Sequence, residues 1–223
     1  WGSLDKMMDR TEEFIRFLCK ELLGKSSFSW QGAEISTKED FKRVDFRQAL
    51  IDSIGVDLDD LNSIEDYRVV FKEHNLSWGD GMTIGRAQDK LYSEFIESKV
   101  ENPTFVTGYP EEMSPLAKKI PGNEKWTERF ELVIAGCEVA NAFGELHDPD
   151  EQKKRMRNQE SAKDSGDFEA QPIDDSYIEA LEFGMPSAGG IGFGVERLLM
   201  MFLDKDSIRD VIVFPMLRPK KDG

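Results

Sequence analysis

Four glycines fall within the six positions Gly189-Gly190-Ile191-Gly192-Phe193-Gly194, and an apolar helical stretch, Val195 to Phe202, follows with Arg197 in its first turn. Glycine loses more conformational freedom in a strand than any other residue, so such a run makes sense only where backbone or ligand approaches closely. Arg197 adds a permanently charged fork to a helix N-terminus that already favours anions. Together they point to a phosphate-rich ligand lying over a glycine-flattened strand. The plain alternative is a glycine-rich turn with a solvated arginine. The spacing is not that of the GxGxxG dinucleotide loop, whose glycines build the turn itself.

The chain has 223 residues, of which 39% are hydrophobic and 10% aromatic, enough for a sizeable core in one large or two small domains. Its 44 acidic residues against 29 Lys and Arg give a formal charge of −15, which argues against a basic nucleic-acid platform. Cys19 and Cys137 are too few for a disulfide framework, and with only His74 and His147 no Cys/His zinc set can form. A reducing, cytoplasmic setting is expected. No apolar run reaches membrane-spanning length. The start at Trp1, without methionine, suggests a piece of a longer protein.

Along the chain, Ser3 as N-cap and Leu4, Met7, Met8, Phe14, Ile15, Leu18 and Leu22 at helical spacing up to Gly24 predict an amphipathic helix with that stripe in the core. Further helices are expected over 46–53, 66–73 and 86–98, and a hairpin around Gln31-Gly32. Asp57, Asp59 and Asp60 lack the glycine and distal glutamate of a calcium loop and read as a solvated loop with a helix cap.

After residue 101 strands dominate: a short one over 103–107, then 129–134 and 137–146 joined by Ala135-Gly136. Pairing Ile134 with Cys137 sets Val133 opposite Glu138 and Leu132 opposite Val139, with Glu131 and Glu138 on one face. Two carboxylates there repel unless a cation lies between them. Phosphate-bound magnesium suits that role, since it takes one or two protein carboxylates. A solvated acidic strand face is the alternative. Asn141, Phe143 and Glu145 have the opposite parity to Glu138, so a single pocket requires an irregularity between Val139 and Ala142. An amide, an aromatic wall and a terminal carboxylate would then suit a ligand with an aliphatic stem and a distal cation. Otherwise Phe143 is core and Glu145 pairs with a nearby basic residue.

The segments PTFVTGYPEEMSPLAK, RFELVIAGCEVANAFGELHDPDEQKKRMRNQ and GMPSAGGIGFGVERLLMMF, followed by IRDVIVFPMLRP, resemble the C-terminal two-thirds of the catalytic domain of class II lysyl-tRNA synthetases. The resemblance covers essentially the whole chain and is strongest from Pro103 onward. It implies an α+β fold, an antiparallel sheet flanked by helices, incomplete here: residues 1–100 a mainly helical insertion or linking region, 101–223 the sheet core. It also implies lysine-tRNA ligase activity in two steps, through lysyl-adenylate, with ATP, L-lysine and tRNA(Lys) as substrates, Mg2+ as cofactor and a homodimer. Arg197 would be the motif 3 arginine on the terminal phosphates of ATP, with Glu131 and Glu138 holding magnesium against them. Gly190, Gly192 and Gly194 would form the adenosine floor. Asn141 would place the lysine carboxylate, Phe143 would line the stem, and Glu145 would accept the ε-ammonium. An anticodon-reading domain and two upstream motifs of the family are not in the sequence, so the fragment alone is expected to be inactive. A paralogue that aminoacylates a protein, or a catalytically inactive interaction domain, are the other readings; an intact second motif upstream argues against the latter.

Overall fold

A computed structural model describes residues 3–164 and 173–214. Trp1 and the end of the family-like tail from Pro215 lie outside the described residues. Helix α1 (Leu4–Leu23) starts where Ser3 accepts from the Lys6 N–H and stops at left-handed Gly24. The hairpin β1 (Ser27–Trp30) and β2 (Ala33–Ser36) turns on Gln31-Gly32, both with positive φ. Next come β3 (Lys42–Asp45), α2 (Phe46–Ile54), α3 (Ile64–Glu73), α4 (Ile84–Phe95), β4 (Thr104–Pro110), β5 (Trp126–Ile134) and β6 (Cys137–Gly144). The chain continues through α5 (Pro149–Asp164), α6 (Asp175–Glu182), β7 (Gly189–Phe193) and α7 (Val195–Phe202).

Strands β3 to β7 form one five-stranded sheet in sequence order. It is not wholly antiparallel as expected, because β3 runs parallel to β4. A parallel neighbour needs a long crossover, and α2 to α4 supply it. The short polar segment Lys-Arg-Val-Asp gave no strand signal. One face of the sheet packs on α1, the hairpin and α7, burying Ile15, Phe28, Phe105, Phe130 and Met201. The other face is covered by α2, α3 and α4 over β4 and β5, around Phe46, Tyr67, Leu91 and Tyr109. That cover stops short of β6 and β7. The apolar stripe of α1 is only partly core: Met8 and Ile15 are buried, but Phe14 and Leu22 are exposed, and Thr11 and Cys19 take core positions instead. The buried stripe of Met8, Thr11, Ile15 and Cys19 occupies one narrow side of the 20-residue helix, and Phe14, beside it, reaches to Phe193, ring centroids 4.9 Å apart.

The β5–β6 hairpin departs from the simple register. Ile134 faces Cys137 and Val133 faces Glu138, but Leu132 then pairs with Ala140, not Val139. Val139 is the extra residue of a bulge. The irregularity thus falls at the first residue of the span 139–142 expected from the sequence, and Ala140 to Ala142 run in regular register. Ala140 and Ala142 are small because they are buried beneath the helical layer. The carbonyl of Val139 is taken by the Gly194 N–H at 2.9 Å, at the turn into α7.

Candidate functional site

The bulge decides which side chains meet. A regular ladder would send Glu138 to one face and Asn141, Phe143 and Glu145 to the other. With Val139 extruded, Val133 lies opposite Glu138, Glu131 opposite Asn141, and Arg129 opposite Phe143. On the far side of β6, Asn141 pairs with Gly192 and Phe143 with Gly190. Arg129, Glu131, Glu138, Asn141, Phe143, Gly190 and Gly192 therefore share one face of the sheet, covered by helices over β5 and open over β6 and β7. Phe143 is half-buried and belongs to neither core.

Arg129 organises this face. Its guanidinium donates to Glu131 Oε1 at 2.6 Å, Asn141 Oδ1 at 3.1 Å, the Met113 carbonyl and Ser114 Oγ, and lies over the Tyr109 ring. Glu131, only 6% exposed, also accepts from the hydroxyls of Tyr92 at 3.0 Å and Tyr109 at 2.9 Å. Burial pushes the Glu131 carboxyl up, Arg129 pulls it down, and nearby Glu138 adds to the rise. Burial likewise pushes up the Tyr92 and Tyr109 hydroxyls, so both remain donors. Glu138 has its own cation, Arg197, whose Nη1 donates to Glu138 Oε2 at 3.1 Å and to the Glu138 carbonyl at 2.7 Å. The repulsion argument for magnesium therefore fails as stated, because each acid already has an arginine. Arg197 opens α7 after Gly194, where no side chain caps the helix, and its remaining N–H groups have no partner among the described residues.

Glu145 follows β6 and is partly buried. Burial raises its carboxyl above the usual range, and it forms no ion pair among the described residues. The expected local basic partner is therefore not found. Its Oε1 occupies the space where a Gly190 side chain would begin. None of Gly189, Gly190, Gly192 and Gly194 has positive φ, so the run serves space, not turn geometry. Gly189 makes room for Met7, Gly190 for Glu145, and Gly194 for Arg197. Gly192 faces open space, with nothing nearer than a 4.0 Å backbone oxygen. Gly190→Ala in the full-length protein is expected to displace the Glu145 carboxylate at small cost in stability, since a flexible side-chain end can move. The melting temperature of that variant should fall by no more than about 4 °C.

The chain matches the model of the class II tRNA synthetases (D, K and N) over residues 1–218. It belongs to that family. The lysine–tRNA ligase of Enterococcus faecalis is 42% identical over 212 residues, covering 95% of this chain and 43% of that protein. Those of Latilactobacillus sakei and Staphylococcus epidermidis are 41% identical over 215 and 220 residues, covering 96% and 99% of the chain. The chain spans less than half the length of these relatives. Sequence reasoning missed Arg129, Tyr92 and Tyr109 in this candidate site. Arg129 and Glu131 two apart on a strand were a readable signal, whereas Tyr92 and Tyr109 reach Glu131 only through tertiary packing. Among the described residues no helix is long and apolar enough to cross a membrane.

Proposed function

We propose that this chain supplies the lysine and ATP face of a lysine–tRNA ligase. The observation that carries the reading is the gathering of Glu138, Asn141, Phe143 and the glycine strand on one open face by the Val139 bulge, with Glu145, which has no ion-pair partner among the described residues, at its end. In the first step a lysine carboxylate oxygen attacks the α-phosphorus of ATP. A new P–O bond forms, the bond to the bridging oxygen breaks, and pyrophosphate leaves with its electron pair. In the second, the terminal ribose hydroxyl of tRNA(Lys) attacks the lysyl carbonyl, AMP departs, and the hydroxyl proton is released. Such chemistry needs positioning and charge stabilisation, and no protein nucleophile.

Glu145 receives the ε-ammonium and Phe143 lines the stem. Arg129 takes the Asn141 amide oxygen, which turns the Asn141 NH2 donors toward the substrate carboxylate. The free N–H groups of Arg197 hold the terminal phosphates, while Gly190, Gly192 and Gly194 leave room for the nucleoside. Magnesium fits as an ion brought by the phosphates. Glu131 uses about three of its four lone-pair sites on protein donors and keeps one, and Glu138 is accessible. No group of three or more His, Cys, Asp or Glu among the described residues forms a self-sufficient cage. The ion would neutralise phosphate charge. A homodimer, tRNA(Lys) and a cytoplasmic setting belong to the same proposal.

The test is ATP–pyrophosphate exchange by the full-length protein and by Arg197→Ala. Loss of a charge-assisted phosphate contact is expected to cut lysine-dependent exchange by at least about tenfold. The melting temperature should move little, because a half-exposed arginine adds little to folding. Unchanged exchange in that variant removes the phosphate assignment, and no exchange by the parent protein with any amino acid removes the reading.

A further inference from the structure

Beyond the open face, α5 buries a charged fork that the proposed chemistry does not use. Arg155 is 3% exposed, and its Nη1 donates to the carbonyls of Ala117 at 2.7 Å and Ser114 at 3.3 Å. Gln152, fully buried on the same helical face, donates its amide to the Pro115 carbonyl at 3.1 Å. Helix α5 thus holds three carbonyls of one irregular segment from behind.

The other side of that segment builds the site. Met113 O and Ser114 Oγ accept from Arg129, which holds Glu131 and Asn141. Ala117 bridges antiparallel to Glu145, with Lys118 N–H on the Gly144 carbonyl at 2.7 Å and Leu146 N–H on the Leu116 carbonyl at 3.0 Å. The links from the segment run to the strand around Glu145 and, through Arg129, to Asn141 and Glu131, while the Lys118 carbonyl accepts from the Glu128 N–H at 2.7 Å. None ends on Arg197.

We infer that Arg155, assisted by Gln152, is a positioning residue that sets where Glu145 and Asn141 stand. The inference rests on the reading of this pocket as the lysine site. A general electrostatic role does not explain the arrangement, because the acids beside Arg155 have a second cation. Lys119 lies 3.0 Å from Glu111 and 3.1 Å from Glu151. What only the planar fork supplies is simultaneous reach to Glu151 through Nε, at 3.0 Å, and to two carbonyls through Nη1.

Arg155→Lys in the full-length protein keeps the charge and loses the fork. A small displacement of recognition groups is costly, so the lysine KM is expected to rise about tenfold while the ATP KM stays within about twofold. Restoring no other contact, Gln152→Leu should move the lysine KM about threefold in the same direction and serves if Arg155→Lys does not fold. A lysine KM that does not move, or lysine and ATP KM values rising together, overturns the positioning role. Glu145→Gln run in parallel separates the two claims. If lysine activation survives there, the pocket reading itself falls. If it is lost there while both α5 variants keep the parental lysine KM, only the role of Arg155 falls.

Discussion

Glu145→Gln in the full-length protein is expected to lower lysine-dependent pyrophosphate exchange by ~2–5 kcal/mol, the usual cost of truncating one partner of a desolvated charge pair. At about 1.4 kcal/mol per tenfold, this is roughly 30-fold to a few thousand-fold. The substitution keeps the shape of the side chain and its place over Gly190. What it removes is the negative charge, in a position where no protein cation competes for it among the described residues. Burial that disfavours the free carboxylate is relieved when an ammonium arrives, so the site is poised for a cation. ATP affinity, measured in parallel, should stay unchanged. Survival of lysine activation within a few-fold would make Glu145 a structural acid and remove the main chemical support for lysine.

The second large effect is on stability. Arg129→Met leaves Glu131 buried without its cation, and breaking a buried pair from one side costs about 3–5 kcal/mol. For a domain of this size, with about 2–4 °C lost per kcal/mol, the melting temperature should fall by roughly 6–20 °C. Adding Glu131→Gln to the same protein should recover most of that loss, because a neutral amide still accepts from Tyr92 and Tyr109. A melting temperature unmoved in the single variant, or no recovery in the double, would show that Arg129 does not hold Glu131.

The sequence carried the local half of this site and not the long-range half. Ser3, Gly24, the Ala135-Gly136 turn and the start of α7 were readable because caps and turns are set by a few adjacent residues. The need for a strand irregularity was readable too, since the parity of Glu138 against Asn141, Phe143 and Glu145 left no other way to join them. Its position was not. Whether the extra residue is Val139 or one after it depends on Gly194, which captures the Val139 carbonyl from 55 positions away (194 minus 139). The same limit hid β3, whose four residues, three of them charged, become a strand only because β4 offers a parallel partner. It also misplaced Phe14 and Leu22, because periodicity identifies the apolar side of α1 without telling how much of that side the sheet reaches. The magnesium argument treated two acids as a closed pair, and the arginines that answer them lie two residues before one and 59 after the other.

The Val139 bulge also divides the return strand into two lengths. Before it stands Glu138, tied to Arg197 at the proposed phosphate end; after it stand Asn141, Phe143 and, past the strand, Glu145, at the proposed amino-acid end. Because the crossover between the lengths is one extruded residue anchored to Gly194, the second length can change its side chains without altering the pitch of the first. On the proposed function, amino-acid choice and nucleotide chemistry would thereby be separable along eight consecutive residues, from 138 to 145. Loss of Val139 alone would part the two lengths, by rotating one of them to the back of the sheet.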